Sequence, residues 1–146
     1  MIRIITFGKI KESYLIKLID DYKLRISKYH KIEIIELKDE NNLQKEALNL
    51  QKYLNRSNYL IVLAIEGKQI TSLEFSKKIE EIFLSSYGNI DFVIGSSEGI
   101  DVSIKSMANE LISFSKMTFP HGLFRGILLE QIYRAFKIAN NETYHK

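Results

Sequence analysis

The chain of 146 residues has no cysteine, no tryptophan and a single proline. Without cysteine it can form neither a disulfide framework nor a thiolate metal site. No apolar run approaches the roughly 20 residues that cross a bilayer. The first residues also lack the apolar segment and small-residue cleavage site of a secretion signal. We therefore expect a cytoplasmic protein that uses neither a membrane nor a metal.

The motifs of several enzyme classes are missing as well. His30, His121 and His145 stand too far apart to form an HxxxH or HExxH metal pair. The chain has no GxSxG nucleophile elbow and no GxxxxGK[ST] phosphate loop. The first apolar run is followed by residues 8–11 (GKIK) rather than by the GxGxxG of a dinucleotide fold. A nucleotide would have to bind in another way.

What is present is ordinary globular material. Hydrophobic residues make up 45% of the chain and charged residues 27%, and the length predicts a single domain, residues 1–146. The net charge of +3 is too small to indicate nucleic-acid binding by itself. Basic residues outnumber acidic ones in residues 1–56 and 105–146, and the reverse holds in 57–104. The two basic ends either meet in one positive face or form ordinary solvated surface.

Hydrophobic periodicity predicts alternating strands and helices. Thr71 and Glu74 have the spacing of a capping box, which indicates a helix start. Short connections between strands and helices favour an α/β fold with a mostly parallel sheet flanked by helices. The predicted strands are 2–7, 32–37, 59–65, 90–94 and 111–114, and the predicted helices are 14–29, 42–54, 71–83, 100–110 and 122–139.

The last predicted helix has more apolar residues than one packing face requires. Most residues from 123 to 139 are apolar, whereas a helix on a sheet needs a stripe only about 100° wide. The surplus is buried either deep within the monomer or against a second copy of the chain. We favour a homodimer that uses this helix.

Three loops follow buried strands at the end where open α/β sheets bind ligands. Glycines at 95 and 99 allow the backbone to turn sharply and approach a ligand closely, although a plain strand-to-helix turn also explains them. In the third loop Pro120 keeps Phe119 extended. The loops are residues 66–68 (EGK), 95–99 (GSSEG) and 115–122 (SKMTFPHG).

Arg125 is an isolated charge in the first turn of an otherwise apolar helix. Two interpretations remain open. Its guanidinium either pairs with a carboxylate or meets an anion such as an RNA phosphate.

Several segments together resemble a known family. Residues 92–100 (FVIGSSEGI), 113–121 (SFSKMTFPH) and 130–136 (EQIYRAF) are followed by the terminal Tyr144-His145-Lys146. In this order and spacing, and with the Phe7-Gly8-Lys9 exit of the first strand, they resemble the RlmH family of ribosomal RNA large-subunit methyltransferases. That family belongs to the SPOUT superfamily, and the resemblance spans essentially the whole chain.

The resemblance implies a C-terminal trefoil knot, a homodimer and S-adenosylmethionine as cofactor. It implies methylation of N3 of a pseudouridine in 23S ribosomal RNA, on the assembled ribosome. Knots break the usual rules of chain connection, so the resemblance alone implies this one. Two alternatives remain. The chain acts on tRNA or another rRNA site as a different SPOUT enzyme, or it is a non-catalytic RNA- or ribosome-binding module.

The family pattern also assigns residues to the cofactor. One departure is visible, because this chain has Ser96 where the family commonly has a second glycine. That departure bears on the shape of the loop more than on its role. The cofactor contacts implied by the matching motifs are Leu63, Gly95, Phe114, Ser115, Lys116, Met117, Thr118 and Phe119.

Histidine titrates near neutral pH, so His145 and His121 are the candidate general bases. We rank His145 first because a mobile tail can close over a substrate. Residues 142–146 hold an aromatic ring, an imidazole and an ammonium, which suit stacking, proton transfer and phosphate contact. A frayed terminus is the alternative. Arg125 is assigned to charge stabilisation, and the predicted RNA contacts are Arg125, Arg134, Tyr144, His145 and Lys146.

Overall fold

Ten strands and helices alternate along the chain, each close to its predicted place. The computed structural model describes residues 1–146. The predicted alternation is confirmed, with boundaries that differ by a few residues. The elements are β1 (Ile2–Phe7), α1 (Ser13–Ser27), β2 (Ile32–Leu37), α2 (Leu43–Gln51), β3 (Tyr59–Gln69), α3 (Ser72–Leu84), β4 (Ile90–Ile94), α4 (Val102–Met107), β5 (Glu110–Ser113) and α5 (His121–Ala139).

The five strands form one sheet in the order β2-β1-β4-β3-β5, and every neighbouring pair is parallel. This confirms the prediction of a parallel sheet flanked by helices. Because all strands run the same way, their carboxyl ends lie at one edge, where ligands of open α/β sheets bind.

Helices cover both faces of the sheet. Ile2 and Ile4 of β1 pack with side chains of α1, α3 and α5, whereas Ile5 and Phe7 pack with side chains of α2 and α4. Successive side chains of a strand point to opposite faces. The central strands are therefore apolar on both sides, which explains their unbroken hydrophobic runs.

Helix ends follow local side-chain chemistry. The predicted capping box is confirmed, since the Thr71 hydroxyl accepts from the Glu74 amide and the Glu74 carboxylate accepts from the Thr71 amide. Helix α4 is shorter than predicted. Asp101 caps its start, and Ala108 is already extended with ψ of 139°, so β5 begins at Glu110.

The sequence predicted that β3 ends at Ile65 before a turn. In the structure the strand continues to Gln69. Its pairing with β5 shifts register between Leu63 and Lys68, so the intervening residues bulge out of the ladder. A Cβ on Gly67 would lie 2.7 Å from the backbone of Ile112. Glycine permits this close approach, and an isolated glycine within a strand pattern is the sign of such a bulge.

Helix α5 packs between α1 and α3, which covers part of the apolar surplus that the sequence assigned to a second copy of the chain. Leu128, Leu129 and Ile132 are fully buried within one protomer. A flanking helix on each side buries more than the narrow stripe that the sheet alone would cover. The homodimer therefore rests on the family resemblance and stays a prediction.

No helix in the structure is both long and apolar enough to span a membrane.

Candidate active site

A cavity of about 320 Å³ opens at the carboxyl ends of β3, β4 and β5. Its walls come from the β3 bulge, the loop after β4 and the loop between β5 and α5. These are the three segments that the sequence singled out, although the first is part of a strand. The cavity falls in the size range of small-ligand sites. Of the predicted cofactor residues, the structure brings together Leu63, Gly95, Phe114, Ser115, Met117, Thr118 and Phe119 around it, and Lys116 is not in its wall.

The loop after β4 is closed tightly on itself. Ser96 and Gly99 exchange backbone hydrogen bonds of 3.2 and 2.9 Å, and Gly99 has a φ of +93°. A Cβ on Gly95 would lie 2.6 Å from the carbonyl oxygen of Gly99. Glycine at position 95 is therefore required for this turn, and it leaves backbone exposed to the cavity.

The loop between β5 and α5 is held by its own serines and by aromatic packing. The Ser115 hydroxyl accepts from the Met117 amide at 2.9 Å. The Phe124 ring lies 5.4 Å from Phe114, edge to face, and 6.1 Å from Phe119, stacked. All three rings line the cavity. Together they form an apolar wall suited to the flat face of a heterocycle.

An ion pair stands in the cavity wall between Glu66 and Lys105. The hydrogen bond from Lys105 holds the pKa of the Glu66 carboxyl below its usual value. Sequence reasoning singled out the segment of Glu66 but missed Lys105. The only signal was its place on the short helix that follows the 95–99 loop.

Arg125 is buried, at 3% exposure, which corrects its assignment as a catalytic or RNA-facing residue. Its guanidinium bonds the Glu36 carboxylate at 2.6 Å and donates to the carbonyl oxygens of Phe7 and Gly8 at 2.9 and 2.7 Å. Of the two open interpretations, the carboxylate pair is the one observed. Arg125 ties the first turn of α5 to the exit of β1.

The two candidate bases lie in different places. His121 begins α5 and lines the cavity. His145 does not line it, and its Nδ1 lies 3.1 Å from an Nη1 of Arg134 on the later part of α5. The structure gathers no group of three or more histidine or acidic side chains that could hold a metal ion.

The C-terminal tail, residues 140–146, folds back against α5. The Tyr144 ring packs edge to face on Tyr133 at 5.0 Å, with the Arg134 guanidinium over it at 4.7 Å. Its hydroxyl donates to Glu130 at 3.0 Å. Burial, followed by hydrogen bonds with Tyr22 and Glu130, raises the pKa of Tyr144.

A second contact holds the tail two residues earlier, at Glu142. The Glu142 carboxylate accepts from Lys137 and from the Tyr29 hydroxyl, each at 2.8 Å. The pKa of Glu142 is lowered, chiefly by the hydrogen bond from Lys137. Asn141 has a left-handed φ of 53°, as expected for asparagine at a helix end. The tail is therefore docked rather than frayed, with Lys146 exposed at its end.

Comparison with known proteins agrees with the fold. A family model described as "Predicted SPOUT methyltransferase" matches residues 1–145. The chain is 48% identical to ribosomal RNA large subunit methyltransferase H of Clostridium botulinum (strain Hall). It is 43% identical to the protein of that name from Enterococcus faecalis. Each comparison covers 99% of both chains.

Solved structures of lower identity share the fold. A probable methylase family protein from Haemophilus influenzae matches with a TM-score of 0.61 at 13% identity, over 99% of this chain and 70% of that one. The SpoU methyltransferase AviRb from Streptomyces viridochromogenes, in complex with AdoMet, matches with a TM-score of 0.50 at 7% identity, over 90% of this chain and 56% of that one. The full-length family match and the close relatives settle the family. This chain belongs to the SPOUT methyltransferases.

Proposed function

We propose that this protein uses S-adenosylmethionine to methylate N3 of a pseudouridine in 23S ribosomal RNA, with the assembled ribosome as substrate. One observation carries the proposal. The β3 bulge and the loops that follow β4 and β5 enclose a single cavity in a chain whose full-length relatives are named ribosomal RNA large subunit methyltransferase H. The resemblance in the 92–100 and 113–121 segments supports the finer assignment of cofactor and target atom.

The residues of the cavity fit this cofactor. The aromatic wall of Phe114, Phe119 and Phe124 suits an adenine ring. The backbone around Gly95 is open to close approach, so its amide and carbonyl groups would serve as donors and acceptors. A solved protein of the same fold is in complex with AdoMet, which supports the choice. When bound, the cofactor supplies an activated methyl group on a sulfonium centre.

The contribution of the protein is mainly positional, because methyl transfer is an in-line displacement that depends on alignment. The N3–H of pseudouridine is imide-like and loses a proton during the reaction, so a histidine base is useful. His121 stands in the cavity wall. His145 lies on the tail beside Arg134. We assign the tail, with Tyr144 and Lys146, to contact with the RNA.

We also propose that the working form is a homodimer with a knotted C-terminal segment, as in the family. Partly exposed apolar side chains remain near the start of α5, including Leu123 at 39% and, on α1, Tyr14 at 70%. Such side chains favour contact with another chain. Sedimentation at micromolar concentration should give twice the 17.0 kDa protomer mass. A well-folded monomer would refute the dimer.

Mass spectrometry of ribosomal RNA tests the function directly. Ribosomes from a strain that lacks the gene are incubated with the purified protein and labelled S-adenosylmethionine. We expect one added methyl group on a pseudouridine of 23S RNA, and no transfer to tRNA. Methylation of tRNA or of another rRNA nucleotide would replace the proposed target. Cofactor binding without any transfer would make the chain a non-catalytic binding module.

A further inference from the structure

Glu46 is a buried carboxylate with no part in the reaction as described above. It lies on α2 and is 2% exposed. No lysine, arginine or histidine forms a salt bridge with it. A buried acid without a cation is costly unless other donors compensate. Where such a group persists, its hydrogen bonds show what it holds in place.

Two donors meet this carboxylate, and they come from different loops. One oxygen accepts from the Ser96 hydroxyl at 2.7 Å. The other accepts from the backbone amide of Glu40, in the loop before α2, at 3.1 Å. Hydrogen bonds to a carboxylate are roughly twice as strong as those between neutral groups. The stronger geometry is on the Ser96 side.

Ser96 carries the connection into the cavity wall. It is 4% exposed, and its hydroxyl oxygen also accepts from the Glu98 amide at 3.2 Å. Its backbone exchanges two hydrogen bonds with Gly99. The 95–99 loop is thus closed by bonds that all pass through Ser96, and the Ser96 side chain ends on Glu46.

We propose that Glu46 is a positioning residue for the cofactor site and acts through Ser96 to hold the 95–99 loop in its binding shape. The proposal rests on the proposed function, because the loop matters as a cofactor contact. A segment with glycine at both ends loses much conformational freedom when a ligand orders it. A loop that is ordered beforehand binds more tightly because that cost no longer falls on binding. The hydroxyl of Ser96 is what makes this anchor possible.

Ser96→Ala is the main test, with Ser86→Ala as matched control, since the Ser86 side chain is exposed, lies outside the cavity wall and takes no part in these bonds. Hydrogen exchange of the ligand-free protein measures directly how often the backbone amides of the 95–99 loop open to solvent. We expect exchange of the Glu98 and Gly99 amides to rise at least about tenfold in Ser96→Ala and to stay unchanged in the control. Calorimetry should show about three- to tenfold weaker binding of S-adenosylmethionine in Ser96→Ala only.

Glu46→Met completes the test. Methionine has a similar volume but no oxygen to accept from the Ser96 hydroxyl or the Glu40 amide. The double variant should bind the cofactor no more weakly than the weaker single variant, because both changes break one chain of bonds. Additive losses, or unchanged loop exchange in Ser96→Ala, would overturn the proposal. So would a lower melting temperature with unchanged affinity.

The outcomes also separate this inference from the proposed function. If the unaltered protein binds no S-adenosylmethionine, the proposed function fails and a cofactor role for Glu46 fails with it. Faster Glu98 exchange in Ser96→Ala would then still establish the anchor as a feature of the fold. If the unaltered protein binds cofactor and exchange does not change, the anchor alone is wrong.

Discussion

The cavity and the tail lie at opposite ends of the α5 segment and are built in opposite ways. The cavity loops depend on backbone: a glycine bulge in β3, a closed turn after β4 and serine-capped turns before α5. The tail depends on side chains. Tyr144 is held by the Tyr133 ring and the Glu130 carboxylate, and Glu142 by the Lys137 ammonium. We expect the first arrangement to be the more rigid and the second to be the more easily released, since partly exposed pairs such as Lys137–Glu142 contribute about 1 kcal/mol or less each.

This difference suits two tasks. A cofactor of fixed shape is best met by a preformed site, because ordering costs are avoided on binding. An RNA nucleotide presented by a ribosome needs side chains that can stack and rearrange. We therefore expect changes in the cavity to alter cofactor affinity, and changes in the tail to alter methyl transfer alone.

The largest expected effect is a loss of stability on replacing Arg125 of α5, and Arg134 of the same helix provides the comparison. Arg125→Met leaves the carbonyl oxygens of Phe7 and Gly8 without their donor and should lower the free energy of unfolding by about 3 kcal/mol. Arg134→Met breaks a partly buried pair with Glu130 and the contacts with Tyr144 and His145, and should cost about 1 kcal/mol. Urea denaturation measures both. Equal losses would mean that the two ends of α5 are held alike.

Next in size is Gly95→Val. Its side chain would collide with the Gly99 carbonyl and force the loop open, so affinity for S-adenosylmethionine should fall at least about tenfold, equivalent to ~1.4 kcal/mol. The free energy of unfolding should also fall, because the added side chain meets backbone, but by less than the ~1.4 kcal/mol lost in binding. Gly88→Ala is the control: its φ of +70° predicts a loss of about 1 kcal/mol in stability with unchanged affinity. Equal loss of affinity and stability in Gly95→Val would return Gly95 to a purely structural role.

Deleting residues 142–146 should leave cofactor affinity nearly unchanged and lower methyl transfer to ribosomes at least about tenfold, or ~1.4 kcal/mol of transition-state stabilisation. Docking of the tail predicts a small drop in melting temperature in addition. Single-turnover assays measure the transfer. Full activity in the truncated protein would reduce the tail to a structural feature and move the candidate base to His121.

The smallest effect concerns pH. The pKa of Glu142 is lowered in the folded protein, so its pairing stabilises the docked tail above the unfolded pKa, and that stabilisation is lost as pH falls through the lowered folded value. NMR signals of the Tyr144 ring should therefore shift in acid while those of Phe114 in the cavity stay constant. Glu142→Gln should abolish the shift. A shift that persists in that variant would assign it to another group.

The positions of the strands and helices along the chain were predictable from the sequence, and so were the three segments that line the cavity. Hydrophobic periodicity, helix caps and glycines are local signals. Thr71 and Glu74 cap α3 as expected, and Pro120 precedes α5. The sequence predicted a loop at Gly67 and not a bulge within β3. The reason for this glycine is the nearby backbone of β5, which the sequence does not show.

Long-range partners were not predictable in the same way. Arg125 pairs with Glu36 across 89 positions, and Ser96 with Glu46 across 50. No spacing rule joins such residues. The surface that covers α5 was not predictable for a similar reason, because its apolar residues indicate burial but not whether its own chain or a second one provides the cover.

The most direct test of the account is an NMR titration of the isotope-labelled protein with S-adenosylmethionine. It reads the cavity and the tail in one experiment. We predict that the largest and saturable shifts fall on amides of residues 95–99 and 113–119. Absence of any saturable shift, or largest shifts outside these two loops, would contradict the assignment of the cavity as the cofactor site.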